Sequence, residues 1–435
     1  MAPLPRSVPL SLLVLLLPAA CDDGASDIPA DTTGVEIRTV SEYNPTLPEP
    51  GVRVRVPGGT WVTTDADGRA TLAGVEPPFD LEVFQSIPVS GGERVFQDVW
   101  VLRDLTERSV VLPVDEDYSA GISCSVSGQV SGFTGETVLP SGWPDSIESD
   151  FDDSTRIYSA QVRLPAAPVR VAAFEVVPGP NPQSPPAQFI AAGQASVDAS
   201  SMTACNLAPL DLQLQPVTSM TVDLDYALPS SFADARALVY VDVDSAVDGD
   251  SIFLGEQSGL SRQGRTQALL PDFGEPLLVV TPAEVSTRQV AGPANGGAAS
   301  TFSVSGPYVR AVRRFTNLSA PPTETLTVAD VPQLISPAEG AMLTADTVFR
   351  WSDAATTGSW TMSMLCSVLS EDRAGRNNMN VRSLPVEGGE AALPSFVFDA
   401  LDSGMHCKWS IERTDTPRPS DRIHAESEQR YLRVP

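Results

Sequence analysis

The stretch WVTTDADGRATLAGV, residues 61–75, decides the fold class of this chain. Apolar residues alternate with small or polar ones on both sides of Asp65-Ala66-Asp67-Gly68, which is the pattern of two strands joined by a tight turn. Glycine at the end of such a turn tolerates the left-handed backbone that the geometry requires. We predict a β-hairpin here, in which Asp65 and Asp67 are turn residues in preference to calcium ligands.

Further alternating segments flank this hairpin. They are GVEIRTV (34–40), GVRVRV (51–56), PPFDLEVF (77–84), RVFQDVWVL (94–102) and RSVVLPV (108–114). Together they predict a first β-sandwich over residues 35–118. The segment resembles the carboxypeptidase regulatory-like domain, a small transthyretin-like sandwich. The resemblance rests on Thr63, Thr64, Asp65, Asp67, Gly68, Arg69, Leu72, Gly74, Val75, Leu81 and Val83. It implies a fold and no activity, because such domains are accessory modules of many extracellular proteins.

The middle of the chain repeats the pattern twice. Residues 119–217 contain CSVSGQVSG (124–132), QVRLPAAPVRVAAFEVV (161–177) and QFIAAGQASV (188–197). Residues 218–331 contain TVDLDYAL (221–228), ALVYVDVD (237–244), LLVVTPAEV (277–285), FSVSG (302–306) and YVRAVRRF (308–315). No apolar stripe with helical spacing occurs after residue 20. We therefore predict an all-β chain of tandem β-sandwich modules.

Residues 332–435 predict a fourth module. The segments are PQLISPAEGAMLT (332–344), VFRWS (348–352) with Trp351, WTMSMLCSVL (360–369), FVFDAL (396–401), GMHCKWSIE (404–412) and RYLRVP (430–435). They look like strands A, B, C, E, F and G, so the module resembles a fibronectin type III-like domain. Short junctions between the modules predict a linear array in which this last module lies farthest from the N-terminus.

Four cysteines follow Cys21 and allow three connectivities if all are oxidised. Sequential pairing, Cys124 with Cys205 and Cys366 with Cys407, keeps each disulfide inside one predicted module. In the fibronectin-like resemblance strands C and F are neighbours, so Cys366 and Cys407 can point inward and pair. A metal site is the rival interpretation, but CxxC spacing and nearby histidines are missing.

The N-terminus predicts export and a lipid anchor. Residues 1–20 have the parts of a signal peptide, and the apolar stretch at 10–17 is too short for a bilayer core, which needs roughly 20 residues. LPAAC (17–21) resembles a bacterial lipobox, which implies diacylglycerol on Cys21; ordinary signal-peptidase cleavage is the alternative. Residues 21–34 then predict a flexible acidic tether. The expected location is a bacterial cell envelope, on the outer membrane.

Charge narrows the class of partner. The chain has 55 acidic and 28 basic residues, a formal charge of −27, which disfavours nucleic acid and anionic headgroups. We expect contact with a membrane through the lipid anchor and with an unknown protein or glycan ligand. No cofactor is expected, except that carboxylates at Asp242, Asp244, Asp248 and Asp250 are candidate calcium ligands, without the glutamate that closes an EF-hand.

Catalytic motifs are missing from the sequence. The only histidines are His406, which we predict to face solvent because it alternates with Cys407, and His424; Lys408 is the only lysine. There is no GxSxG, HExxH, Walker A or GxGxxG motif. We predict a non-catalytic envelope lipoprotein for binding, adhesion or spacing. A carbohydrate-binding or calcium-dependent adhesion protein is the alternative, followed by a glycan-active enzyme with paired carboxylates.

Lipidation gives the first testable prediction. Mass spectrometry of the mature N-terminal peptide should find a diacylated cysteine at Cys21, and Cys21→Ala should move the protein from the membrane to the soluble fraction. A mature terminus at another residue, or a membrane-bound Cys21→Ala variant, would contradict the prediction.

Overall fold

A computed structural model describes most of the chain after residue 33. The described residues are 34–41, 46–89, 94–114, 122–135, 137–143, 149–164, 169–180, 184–199, 202, 204–232, 234–244, 251–291, 301–315, 323–327, 330–352, 358–367, 378–386, 388–418 and 420–435. The predicted signal peptide, Cys21 and nearly all of the predicted tether lie outside them. Nearly every element is a β-strand, which confirms the all-β class.

The first module consists of two sheets packed face to face. Its strands are β1 (Gly34–Ser41), β2 (Arg53–Arg55), β3 (Val62–Thr63), β4 (Arg69–Ala73), β5 (Phe79–Val89), β6 (Arg94–Leu105) and β7 (Ser109–Val114). One sheet has the order β4-β1-β7, and in the other β5 lies between β6 and β2. Val35, Ile37, Leu81 and Val83 belong to the apolar core of this sandwich.

The turn that we predicted at Gly68 is present, but the predicted hairpin is wrong. Asp65 Oδ1 accepts hydrogen bonds from the backbone N–H groups of Asp67 and Arg69, both at 2.9 Å. Gly68 has φ +69°, and a Cβ there would lie 2.4 Å from the carbonyl oxygen of Thr39. However, β3 pairs with β2, and β4 pairs with β1. The turn therefore carries the chain from one sheet to the other, because alternation along a strand does not specify its partner.

The second module is a sandwich of two four-stranded sheets. Its strands are β8 (Ile122–Ser131), β9 (Thr137–Trp143), β10 (Ser149–Asp152), β11 (Ile157–Leu164), β12 (Val169–Val177), β13 (Gln188–Val197), β14 (Leu212–Gln213) and β15 (Gln215–Pro216). The sheet orders are β10-β11-β8-β14 and β15-β13-β12-β9. Strand β12 is buried on both faces: Val171 belongs to its own core, whereas Phe174 packs 5.3 Å from Phe273 of the next module, measured between ring centroids.

The third module places a three-stranded sheet, β19-β16-β24, against a larger one. Its strands are β16 (Ser219–Ala227), β17 (Ala237–Asp244), β18 (Ser251–Leu260), β19 (Gln263–Pro271), β20 (Glu275–Pro282), β21 (Thr287–Ala291), β22 (Thr301–Ser305), β23 (Tyr308–Arg314) and β24 (Thr323–Thr327). A short 3-10 helix spans Ser230–Phe232. Strands β21 and β22 form a separate antiparallel pair.

The fourth module places the sheet β25-β27-β30 against the same larger sheet. Its elements are β25 (Gln333–Ser336), β26 (Ala341–Met342), β27 (Val348–Ser352), β28 (Ser359–Ser367), β29 (Asn378–Pro385), β30 (Glu390–Ala392), α1 (Ser395–Asp399), β31 (His406–Asp415), β32 (Asp421–Glu426) and β33 (Arg430–Arg433).

FVFDAL, predicted as a strand, forms the helix α1 instead. Phe396 and Val397 are both buried, and one face of a strand cannot present two successive side chains to a core. A helical turn can. A strand that pairs antiparallel with β27, β30 (Glu390–Ala392), lies just before this helix.

The larger sheet is continuous through three modules. It has 14 strands, and its main path runs β18-β17-β20-β23-β32-β31-β28-β29-β6-β5-β2-β3. Strand β23 pairs antiparallel with β32, which joins the third module to the fourth. Strand β6 pairs parallel with β29, with Asp98 opposite Asn380, which joins the first module to the fourth.

This sheet contradicts the predicted linear array. The last module does not lie at the far end, because its sheet lies between those of the first and third modules. Its core also includes Phe84, Val99 and Val101 of the first module. The boundaries that we assigned to the four modules from the sequence stay predictions.

Both predicted disulfides are present and are confirmed. Cys124 and Cys205 join the start and end of the second module with a Cα–Cα distance of 5.4 Å. Cys366 and Cys407 lie directly opposite each other on β28 and β31, with a Cα–Cα distance of 4.0 Å. Disulfides are typical of exported proteins and indicate an extracellular or envelope location.

Across the part of the chain that the structure describes, no helix has both the length and the apolar character needed to cross a bilayer.

The two disulfides should differ in accessibility to reductant. Cys205 is exposed, whereas Cys366 and Cys407 are fully buried. Under native conditions, mild reductant followed by alkylation should label Cys124 and Cys205 first, because exchange requires the thiolate to reach a sulfur. Peptide mapping over time measures the order, with unfolded protein as the control. Equal labelling of both pairs would contradict the burial.

Candidate functional site

The continuous sheet has one polar side, which we call the polar face. On β32, Ile423 and Ala425 point toward the core of the third module, so Arg422, His424 and Glu426 lie on the opposite side. Cross-strand pairs extend this side over β17, β20, β23, β31 and β28. The members used below are Asp242, Glu275, Tyr308, Arg310, Arg314, Ser363, Lys408, Ser410, Glu412, Arg422, His424 and Glu426.

Two carboxylates are neighbours on the polar face. Glu412 on β31 lies directly opposite Glu426 on β32. The hydroxyl of Ser363 donates to Glu412, and the hydroxyl of Ser410 donates to Glu426 Oε1 at 2.7 Å. Directly opposite residues place their Cβ atoms about 5 Å apart, so the two charges repel each other strongly in a half-buried site.

This environment favours protonation of the pair. Burial raises the pKa of Glu412 to about 7, the charge of Glu426 adds to the rise, and the Ser363 hydrogen bond opposes it. Burial also raises the pKa of Glu426, against the hydrogen bonds from Ser410 and Gln429 and the charge of Lys408. Near neutral pH the pair therefore exchanges a proton with solvent, which is the property required of a general acid or a proton-sensitive contact.

Three arginines lie on the polar face where β23 pairs with β32. Arg310 and Arg314 alternate on β23, and Arg422 lies on β32 opposite Val312, between them. Arg314 pairs with Glu275 at 3.1 Å, and Arg310 lies 3.8 Å from Asp242. Burial lowers the pKa of Arg422, and the charges of Arg310 and Arg314 lower it further.

His424 lies directly opposite Arg310 and is 8% exposed. Burial lowers its pKa to about 4, and the charges of Arg422 and Arg310 contribute. The imidazole is therefore neutral at physiological pH. Its Nε2 atom is buried and has no hydrogen-bond partner within the described part of the chain.

His406 does not face solvent as we predicted. It is 3% exposed, its ring stacks on Tyr431 with centroids 5.4 Å apart, and its Nδ1 atom forms a hydrogen bond with the Tyr431 hydroxyl. The alternation with Cys407 is present, but β31 is covered on both sides. Burial and the charge of Arg433 lower the His406 pKa.

The calcium candidates are only partly described. Asp242 is buried on β17 beside Arg310, and Asp244 ends that strand. Asp248 and Asp250 lie outside the described residues, as does Cys21. Among the residues described, no group of three or more His, Cys, Asp or Glu side chains is arranged to hold a metal ion. Calcium at this loop stays a prediction.

An arginine–aromatic cluster lies where the first module meets the fourth. Trp61 packs edge-to-face on Phe396 with centroids 5.4 Å apart. The guanidinium carbons of Arg55 and Arg53 lie 4.3 and 5.5 Å from the Trp61 ring centroid. These contacts place Trp61 in an interface between modules and leave it unsuited as an open platform for sugars.

Sequence reasoning missed the polar face, although a signal was present. RIHAE (422–426) alternates Arg, His and Glu with Ile and Ala, and HCKWSIE (406–412) alternates in the same way. The first pattern places three polar side chains on one side of its strand, and the second places four. That the two strands are neighbours follows only from the fold.

Comparison with known proteins adds little. No family model and no curated protein matches the chain. One solved structure, that of a streptococcal ancillary pilin, is similar with 8% identity and a TM-score of 0.15, over 68% of this chain and 98% of that one. A similarity at this TM-score supports no functional argument. The resemblances to the carboxypeptidase regulatory-like and fibronectin type III-like domains stay predictions.

The carboxylate pair predicts an unusual dependence of stability on pH. Because the folded-state pKa of Glu412 lies above its ordinary value of 4.5, this group stabilises the fold below pH 4.5, and its contribution is lost as the pH rises through about 7. Glu412→Gln should therefore raise the free energy of unfolding at pH 8 by about 3 kcal/mol, since the shift from 4.5 to about 7 is worth about 1.36 kcal/mol per pKa unit. It should also flatten the fall in stability between pH 4.5 and 8.

Urea unfolding at several pH values measures this effect. Glu390→Gln is the matched control, because Glu390 is exposed and lies on another sheet, paired with Arg350. Identical pH curves for wild type and Glu412→Gln would contradict the raised pKa of Glu412.

Proposed function

We propose that the protein is a non-catalytic lipoprotein of a bacterial cell envelope, anchored through Cys21, whose β-sandwich modules bind a protein or glycan outside the membrane. Export is supported by the two disulfides. The anchor is supported by the lipobox resemblance at residues 17–21. A position on the outer membrane, with the binding surface away from the lipid, belongs to the same proposal.

The continuous sheet is the observation that carries this proposal. Backbone hydrogen bonds across β23–β32 and β6–β29 join three modules into one scaffold. Such pairing restricts reorientation of the modules much more than a peptide linker does. A rigid scaffold with loops and one polar face suits binding and display, because it presents a fixed surface to a partner.

The histidines support a non-catalytic role. His406 is buried and held against Tyr431, so a substrate has no access to it. His424 is neutral and lies among arginines. A general base needs both access and a pKa near the working pH, and neither imidazole meets both conditions.

A glycan-active enzyme is the second candidate, and the Glu412–Glu426 pair favours it. Retaining glycosidases use two carboxyl groups about 5–5.5 Å apart, one with a raised pKa that serves as the acid. Directly opposite residues on antiparallel strands fall near this separation. Glu412, with a pKa of about 7, would be the acid and Glu426 the nucleophile.

One experiment separates the two candidates. The full chain carrying Cys21→Ala is applied to a glycan array and to immobilised envelope proteins, and released reducing sugar is measured in parallel. We expect saturable binding without hydrolysis. Hydrolysis that Glu412→Gln abolishes and Glu390→Gln preserves would establish the enzyme. Absence of both binding and hydrolysis would contradict both candidates.

A further inference from the structure

We propose that Arg310, Arg422 and Arg314 form a binding site for an oxyanion group, a phosphate or a sulfate, on the polar face. The proposal names a ligand chemistry for that face and rests on the proposed binding function.

The strand register brings the three guanidinium groups to one place. In the antiparallel pair β23–β32, Arg310 lies opposite His424 and Val312 lies opposite Arg422. Arg422 is therefore the diagonal neighbour of both Arg310 and Arg314, at Cβ separations of about 7 Å. Arginine side chains bridge that separation easily, so all three groups can reach a single ligand.

Within the part of the chain that the structure describes, the charge of Arg422 is not balanced by a carboxylate partner at this point. Among the described residues, Arg422 has no carboxylate within ion-pair distance, and no hydrogen bond of its guanidinium is found. Asp242 approaches Arg310 only to 3.8 Å, beyond hydrogen-bonding distance, and the Arg310 Nε atom is buried without a partner. Glu275 pairs with Arg314. Glu426, opposite Tyr308, is the next carboxylate on this face and lies diagonal to Arg310. Among the described residues, Arg422 is thus the member of the cluster whose charge no paired carboxylate balances.

His424 supplies an independent observation. It lies opposite Arg310, it is 8% exposed, and its buried Nε2 atom has no hydrogen-bond partner in the described structure. Buried polar atoms in native proteins nearly always have a partner, and a bound anion would supply one here. In the neutral imidazole, Nε2 can donate a hydrogen bond to an oxyanion.

The arrangement favours a tetrahedral anion over a carboxylate. Guanidinium groups bind phosphate and carboxylate through paired N–H donors. The three arginines approach from different positions along two strands, and a planar carboxylate offers only two oxygens, both in one plane, to these groups and His424. A phosphate or sulfate group has oxygens in four directions. The pKa of Arg422 is lowered by burial and then by the charges of Arg310 and Arg314, and a divalent anion would offset those charges.

Two sources can supply this group. It is either a free inorganic ion or an ester group on a larger ligand, such as a sulfated glycan. Both place the same oxygens against the same guanidinium groups. The experiment therefore uses inorganic sulfate, inorganic phosphate and a sulfated disaccharide as separate probes.

The test uses the full chain in mild non-ionic detergent, with Arg422→Met and the control Arg350→Met. Arg350 is half exposed, pairs with Glu390 on another sheet, and its loss changes the net charge equally. Thermal unfolding and calorimetric titration are measured against chloride at matched ionic strength. Sulfate and phosphate should raise the Tm of wild type and Arg350→Met saturably, and should bind Arg422→Met at least tenfold more weakly.

Without added anion, Arg422→Met should keep or raise the Tm, because it removes an unpaired charge between two others. This result also shows that the variant folds. Tighter binding of the sulfated disaccharide than of sulfate assigns an ester ligand, and equal binding assigns the free ion; both support the site. Equal weakening in the two variants, or no difference between sulfate and chloride, overturns it. The proposed function survives that result if the Cys21→Ala chain still binds a glycan or protein.

Discussion

The hydrogen-bonding requirement of sheet edges is the constraint on which this structure depends. A sandwich with two open sheets presents rows of unpaired N–H and C=O groups at its edges, which other chains can pair with. Here β23 pairs with β32 and β6 pairs with β29, so each module satisfies an edge of its neighbour. Four of the edges that three separate sandwiches would expose are removed in this way.

The outer side of the continuous sheet, which faces away from the module cores, also differs from that of separate sandwiches. Modules joined only by peptide linkers would leave the outer side of each sheet in water, as in an antiparallel sheet with one solvated face. In this chain the outer sides are partly covered, so ionisable groups such as Glu412, Arg422 and His424 are half-buried or buried there. Burial on this side is the first cause of their shifted pKa values.

Much of the local structure could be predicted from the sequence, and little of the long-range arrangement. Alternation of apolar and polar residues located strands such as β13 and β27. The Asp65–Gly68 segment predicted the turn at Gly68, and sequential pairing of the cysteines predicted both disulfides. The same alternation failed for FVFDAL, where two adjacent apolar residues fit a helical turn. It also failed for His406, because a period of two identifies sides of a strand without saying what covers each side. Pairing between β6 and β29 leaves no trace in either segment. The polar face left only the alternation in RIHAE and HCKWSIE, which does not show that the two strands are neighbours.

The parallel contact between β6 and β29 has a consequence for how the chain is made. Ribosomes deliver residue 98 long before residue 380, so the first module waits with an incomplete edge while most of the chain is synthesised. Contacts of such sequence separation also form slowly, because a long loop must close before they are gained. During that interval the exposed strand competes for other partners. Pairing of this edge with a strand of another chain is therefore the route to misassembly that the β6–β29 contact closes once the C-terminal module is in place.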